Sequence, residues 1–308
     1  MRLVSLLPSA TEIVYALGLD DQLVGVTFEC NEPARARREK TVIVGGRDTS
    51  GMSPAEIDAY VRGRLAEGGD LYTLDAGALA GLGPDLILTQ DLCRVCALPS
   101  GHVNDALDHL GCVADVLSLD PYTLDEVLDS ILAVGERTGV PDRAADLVAA
   151  LRSRLSAVAA TVADAPAPRV AVVEWVDPPF VAGHWVPDMV RAAGETPVAA
   201  RPGARSVQTT WDEFDAARPD VVLVSPCGFG LDGASEQAEA VAAQLPGVPV
   251  WAIDGDSLVV RPGPRLIDGV ETIAAILHPD RFSAPSRDAA TQVAPGSTSP
   301  TTAGIGAS

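Results

Sequence analysis

The stretch from Leu124 to Ala163 constrains the architecture more than any other part of the chain. Leu124 to Val134 has the spacing of one amphipathic helix, and Pro141 stands where a first-turn proline opens a second that lasts to about Ala163. At ~1.5 Å per residue the second helix is ~35 Å long, enough to run along two domains rather than one. It stops before Ala165-Pro166-Ala167-Pro168, a stiff link into a strand from Val170 to Glu174. A chain of 308 residues, 47% hydrophobic, has the apolar surface for a separate core on each side of that helix.

Before the helix, Leu3 to Leu7 reads as a short buried strand, and Ser9 is expected to cap a helix from about Ala10 to Leu17, with Glu12 early in it and Gly18 as its stop. Val24 to Thr27, Val42 to Val44 and Leu86 to Thr89 are further strands. Strands alternating with helical stretches imply parallel sheets. Gly83-Pro84-Asp85-Leu86-Ile87-Leu88 is echoed by Arg218-Pro219-Asp220-Val221-Val222-Leu223, which points to a duplicated unit. The expected fold is α/β: two Rossmann-like lobes with parallel sheets, joined by the long helix. We expect lobes at 1–120 and 166–280, a helical connection at 121–165 and, from its Ala, Ser, Thr, Pro and Gly content, a disordered tail at 281–308.

Ligands of open parallel sheets collect outside the carboxyl ends of the strands. Here those ends are followed by Pro8-Ser9, Phe28-Glu29-Cys30, Gln90 to Cys96, Trp175 to Trp185, Ser225 to Gly230 and Asp254 to Asp256. A net charge of −20 argues against a nucleic-acid partner. No apolar run approaches the roughly 20 residues that would insert directly into a membrane. The N-terminal residues pass at once into a strand and turn, so the chain as it stands reads as cytoplasmic; an earlier start codon would make it periplasmic or lipid-anchored.

Several of these segments, in order, resemble the class III periplasmic binding proteins, the cobalamin and ferric-siderophore binders of ABC importers. The resemblance rests on Ser5-Leu6-Leu7-Pro8-Ser9-Ala10-Thr11-Glu12 with Ala16-Leu17-Gly18, on Leu82-Gly83-Pro84-Asp85-Leu86-Ile87, on the long central helix, and on Arg169-Val170 through Asp177-Pro178-Pro179-Phe180-Val181-Ala182-Gly183. That last stretch looks most like the cobalamin-binding branch. The resemblance implies a rigid two-lobed holder that binds without turnover and hands its ligand to an importer permease. About thirty residues from Asp48 to Ala80 fill a connection expected to be shorter.

Aromatic residues are 4% of the chain, yet Trp175, Phe180 and Trp185 share one post-strand region, and Phe229 follows another strand. They suit the face of a flat macrocycle, or else pack the second lobe's core. His184 is a candidate axial donor to a corrinoid or haem metal, or a supporting histidine. Arg47, Arg261 and Arg265 can pair with acidic ligand groups or with surface carboxylates. Cys30, Cys93, Cys96 and Cys227 each follow a strand, and Cys93-Arg94-Val95-Cys96 has the spacing that lets two sulfurs reach one metal, so a shared Zn or iron–sulfur site, a redox pair or plain thiols all remain open. We therefore expect a non-enzymatic substrate-binding protein holding a cobalamin-like corrinoid or metal chelate through Pro8, Ser9, Phe28, Glu29, Gln90, Trp175, Phe180, His184, Trp185 and Phe229. The alternative is a cytosolic metallocluster redox protein built on the four cysteines.

Overall fold

The computed structural model describes residues 1–49, 51–92, 100–110 and 113–296. The first part of the chain runs β1 (Leu3–Ser5), α1 (Pro8–Ala16), β2 (Leu23–Thr27), α2 (Ala36–Glu39), β3 (Thr41–Gly46), α3 (Pro54–Ala66), β4 (Tyr72–Leu74), α4 (Ala76–Leu82), β5 (Leu86–Thr89), α5 (Ser100–Leu110) and β6 (Asp115–Ser118). Two helices follow, α6 (Leu124–Arg137) and α7 (Pro141–Val162). The remainder is β7 (Arg169–Val176), β8 (Pro179–Val181), α8 (Val186–Ala192), β9 (Thr196–Pro197), β10 (Val207–Gln208), α9 (Trp211–Ala216), β11 (Val221–Val224), α10 (Leu231–Gln244), β12 (Val250–Ile253), α11 (Gly255–Leu258), α12 (Leu266–Leu277) and β13 (Ala290–Ala294).

The strands form two sheets, one on each side of α6 and α7. The first has the order β4-β3-β2-β1-β5-β6, and the second β10-β8-β7-β11-β12-β13 with β9 beside β7. Their centres are parallel, as the alternation of strand and helix requires. Their antiparallel pairs are β4 on β3 in the first sheet, and β8, β10 and β13 in the second. The two Pro-Asp repeats do the same work in each sheet. Asp85 accepts from the backbone N–H of Arg2 (2.6 Å) and returns its own N–H to Arg2 O (2.9 Å), at the foot of β1 and β5. Asp220 makes the same pair of bonds with Arg169, at 2.8 and 2.7 Å, at the foot of β7 and β11.

α6 begins at a capping box formed by Thr123 and Glu126, and α7 begins with Pro141 in its first turn. One apolar cluster runs without a break from Leu3, Ile13 and Leu23 of the first lobe through Val127, Ile131 and Leu151 of these helices to Val190, Leu266 and Ile273 of the second. Side chains of this kind contribute ~1.5–3 kcal/mol each when fully buried, so the helices belong to both cores. Polar ties fix them further. Arg143 of α7 donates to Leu17 O at the end of α1 (3.3 Å), while Arg154 grips Glu271 (2.8 Å to Oε1) and Asp268 (2.5 Å) on α12.

Two expectations are corrected. Ser9 does not cap α1: the cap position is Leu7, without a side-chain bond, because Pro8 already supplies helical φ and carries the start two residues earlier, leaving Ser9 buried inside the helix. Residues 281–308 are not structureless throughout, since Ala290–Ala294 pairs antiparallel with the edge of β12, whose backbone groups need a partner; residues 297–308 lie outside the described ones. The long connection after Asp48 holds α3 and the edge strand β4. Among the described residues no helix is long and apolar enough to cross a membrane.

α6 and α7 pack closely at Gly135, where a Cβ would lie 2.3 Å from Ala144 Cβ. Gly135→Ala is expected to lower unfolding free energy by ~1–3 kcal/mol in urea titration. Gly81→Ala, in α4 with open space around it, is expected to be neutral or to stabilise by up to ~1 kcal/mol. Equal effects at the two positions would contradict tight packing of the connection.

Candidate functional site

At the carboxyl end of β2 the chain turns sharply through Phe28 to Asn31. The turn is held by Phe28 N–H to Val44 O (3.0 Å), Glu29 N–H to Thr27 Oγ1 (3.1 Å) and Cys30 N–H to Thr27 O (3.2 Å). The Phe28 ring lies over Gly46, where a Cβ would come within 2.8 Å of it, and 6.3 Å from the ring of Tyr72. Tyr72 Oη stands 3.4 Å from each carboxylate oxygen of Glu29.

Facing this turn from the second lobe is the segment after α11. Arg261 donates through Nη1 to Asn31 Oδ1 of the first lobe and through Nη2 to Asp256 of its own (2.8 Å), and only 10% of its side chain is exposed. Asp256 in turn accepts from Gly228 N–H (3.1 Å) and gives its own N–H to Phe229 O (3.2 Å), so the loop after β11 is tied into the same network. Beside it, Arg265 approaches Glu32 at 3.6 Å, a second contact between the lobes.

The polar bridge continues into an aromatic patch. Trp175 and Phe180 are cross-strand partners on the β7–β8 hairpin and therefore share one face. Trp175 packs against Phe229 with ring centroids 5.8 Å apart, and its indole N–H is satisfied by Asp177 O (3.1 Å). All three rings are half-buried. Two lobes thus present, side by side, a set of hydrogen-bonding groups and a patch of aromatic faces, which is what holds a broad, partly polar molecule by contact.

Burial dominates the electrostatics. It pushes the Glu29 carboxyl up to about 7, against the pull of Arg261. Glu12, on α1, is likewise raised to about 7 by burial, opposed by Arg261 and Arg265, and neither of its oxygens has a hydrogen-bond partner among the described residues. Asp91, after β5, stays ionised instead: burial raises its pKa, but hydrogen bonds from Ser100 and Ser118 outweigh that and hold it below the usual range.

The residues picked from sequence separate clearly. Phe28, Glu29, Trp175, Phe180 and Phe229 are half-buried around the network just described, whereas Pro8, Ser9 and Gln90 are buried. Trp185 belongs to the core: it is 6% exposed and gives its indole N–H to Val259 O (2.8 Å). His184 sits between the rings of Tyr122 (5.6 Å) and Trp185 (5.5 Å), and burial lowers its pKa, with Arg205 adding to the shift. Arg47 lies over the ring of Tyr60 (4.6 Å). Cys30 is fully buried, its sulfur 3.0 Å from Thr11 Oγ1, and burial raises its pKa, which keeps it a thiol. Cys227 is exposed. Cys93 and Cys96 lie outside the described residues, and among the described residues no group of three or more His, Cys, Asp or Glu is placed to hold a metal ion.

Sequence reasoning passed over Tyr72 and Asn31. Asn31 is one residue beyond the post-strand segment that was singled out, and Tyr72 belongs to the unexpected edge strand, for which no pattern signalled a role.

The sequence matches the family described as periplasmic binding protein over residues 3–252. It is 27% identical over 292 residues to an uncharacterized ABC transporter substrate-binding lipoprotein of Bacillus subtilis, covering 91% of this chain and 81% of the relative. With a vitamin B12-binding protein of Vibrio cholerae it shares 26% identity over 282 residues, 90% of this chain and 88% of that one. Among solved structures, the periplasmic vitamin B12-binding protein of Vibrio cholerae superposes with a TM-score of 0.61 at 24% identity, covering 90% and 96% of the two chains. A periplasmic heme-binding protein of Pseudomonas aeruginosa superposes with a TM-score of 0.68 at 22% identity, covering 96% and 99%.

Glu12 gives a test of the buried interface. Its folded pKa of about 7 lies above its ordinary 4.5, so folding takes up a proton. The associated stability is full below pH ~4.5 and is lost as pH rises through ~7. A shift of this size corresponds to about 3 kcal/mol. Glu12→Gln should therefore be more stable than the parent chain at pH 8, and the advantage should vanish near pH 4.5, in thermal melts at the two pH values. An advantage independent of pH would contradict a buried, unpaired carboxyl.

Proposed function

The chain belongs to the periplasmic binding protein family, and we propose that it holds a cobalamin-like corrinoid between its lobes and presents it to the permease of an ABC importer. As a substrate-binding protein of ABC-transporter type, it acts with a small-molecule ligand and a transporter. The observation that carries the corrinoid reading is the aromatic patch of Trp175, Phe180 and Phe229, joined through Asp256 and Arg261 to Asn31 of the opposite lobe. A corrinoid has a broad apolar face for the rings and a rim of amides for the polar groups. Relatives named for vitamin B12 binding, matched along most of their length, support the same choice.

Binding is the whole of the chemistry in this account, so the ligand leaves as it entered. The connecting helices α6 and α7 share a core with both lobes, which supports a clamp with limited closure. Relatives described as a lipoprotein and as periplasmic support a place of work outside the cytoplasmic membrane, in preference to the cytoplasmic reading.

Titration with cyanocobalamin, followed by quenching of tryptophan fluorescence, is expected to show one site per chain. Trp175→Ala and Phe229→Ala should each weaken it by about tenfold, the scale of ~1.4 kcal/mol for one lost aromatic face. Unchanged affinity in both variants would overturn the assignment of the patch.

A further inference from the structure

We infer that Glu29 selects the ligand by charge, admitting a macrocycle whose rim carries amides and rejecting one whose rim carries carboxylates. The inference rests on the corrinoid reading for the ligand admitted. Flat metallated macrocycles are alike in their apolar faces, and the fold is shared with a heme binder, so shape leaves corrinoid and haem poorly separated. What differs is the rim: several neutral amides on one, two carboxylates on the other.

The groups that meet Glu29 determine which rim is accepted. From β4, Tyr72 approaches both of its oxygens at 3.4 Å, contacts long enough to leave the carboxylate with acceptor capacity. From the second lobe come Arg261 and Asp256. Arg261 would be the natural partner of an anionic rim, but its two ends are engaged by Asp256 (2.8 Å) and Asn31. An incoming carboxylate therefore meets acids whose compensating guanidinium is already committed, in a half-buried setting where like charges are poorly screened. Above pH about 7, where the carboxyl of Glu29 is mainly ionised, an incoming amide N–H instead finds in it a charged acceptor, a stronger partner than a neutral one.

The test compares cyanocobalamin with haemin at about pH 8.5, where Glu29 is ionised, on three proteins: the parent chain, Glu29→Gln and Glu29→Asp. Removing the charge is expected to weaken cobalamin by about threefold, as a charge-assisted hydrogen bond becomes neutral, and to tighten haemin by about tenfold. Preference thus moves about thirtyfold toward the porphyrin. Glu29→Asp, which keeps the charge, should keep the parental order of preference. A merely structural role for Glu29 would weaken both ligands together, and that outcome, or an unmoved ratio in Glu29→Gln, overturns the inference while leaving the corrinoid reading in place. Parent protein that binds haemin and not cobalamin overturns the corrinoid reading itself, and the inference with it.

Discussion

Everything in this molecule depends on the close packing of α6 against α7, two helices that bury their apolar faces in the cores of both lobes at once. Gly135 lets the pair approach closely at Ala144, Arg143 ties α7 to the end of α1, and Arg154 ties it to α12. A flexible linker would leave the two sheets free to separate. A shared core does not, because opening it would expose Val127, Ile131 and Leu151 along with the side chains of each lobe that touch them.

That rigidity gives the carboxyl ends of the two sheets a fixed partner to face. The first lobe offers a tight turn with Glu29 and Asn31, the second a loop with Asp256, Phe229 and Arg261, and the guanidinium of Arg261 spans them. Burial in this region raises Glu12 and Glu29 well above ordinary carboxyl values. Such groups are costly to maintain in a purely structural interface, and the link from Glu29 through Arg261 and Asp256 to the Phe229 loop fits a site that keeps hydrogen-bonding capacity in reserve for a ligand.

Much of the fold was legible because its signals are local. The Pro-Asp turns before β5 and β11 mark equivalent bonds, Asp85 to Arg2 and Asp220 to Arg169. Pro141 marked the start of α7, and Gly18, at φ +66°, the end of α1. What escaped depends on tertiary contact. Trp185 resembles a ligand-facing aromatic until its indole is seen to reach Val259, 74 residues on. Cys30 resembles a metal ligand until Thr11 and Thr27 are seen to enclose it. The strand Ala290–Ala294 has weak propensity of its own and forms because β12 offers an open edge. Glu29 was chosen for its place after a strand, but its partners Tyr72 and Arg261 are brought to it by the fold, not by spacing.

The central claim, that one ligand is held by both lobes across a rigid connection, is tested most directly by amide hydrogen exchange with and without saturating cyanocobalamin. The account predicts slower exchange on ligand binding in residues 28–31 of the first lobe and in residues 227–230 and 254–261 of the second, with α7 unchanged. Protection confined to one lobe, or spread through α7 while those loops are unaffected, would contradict it.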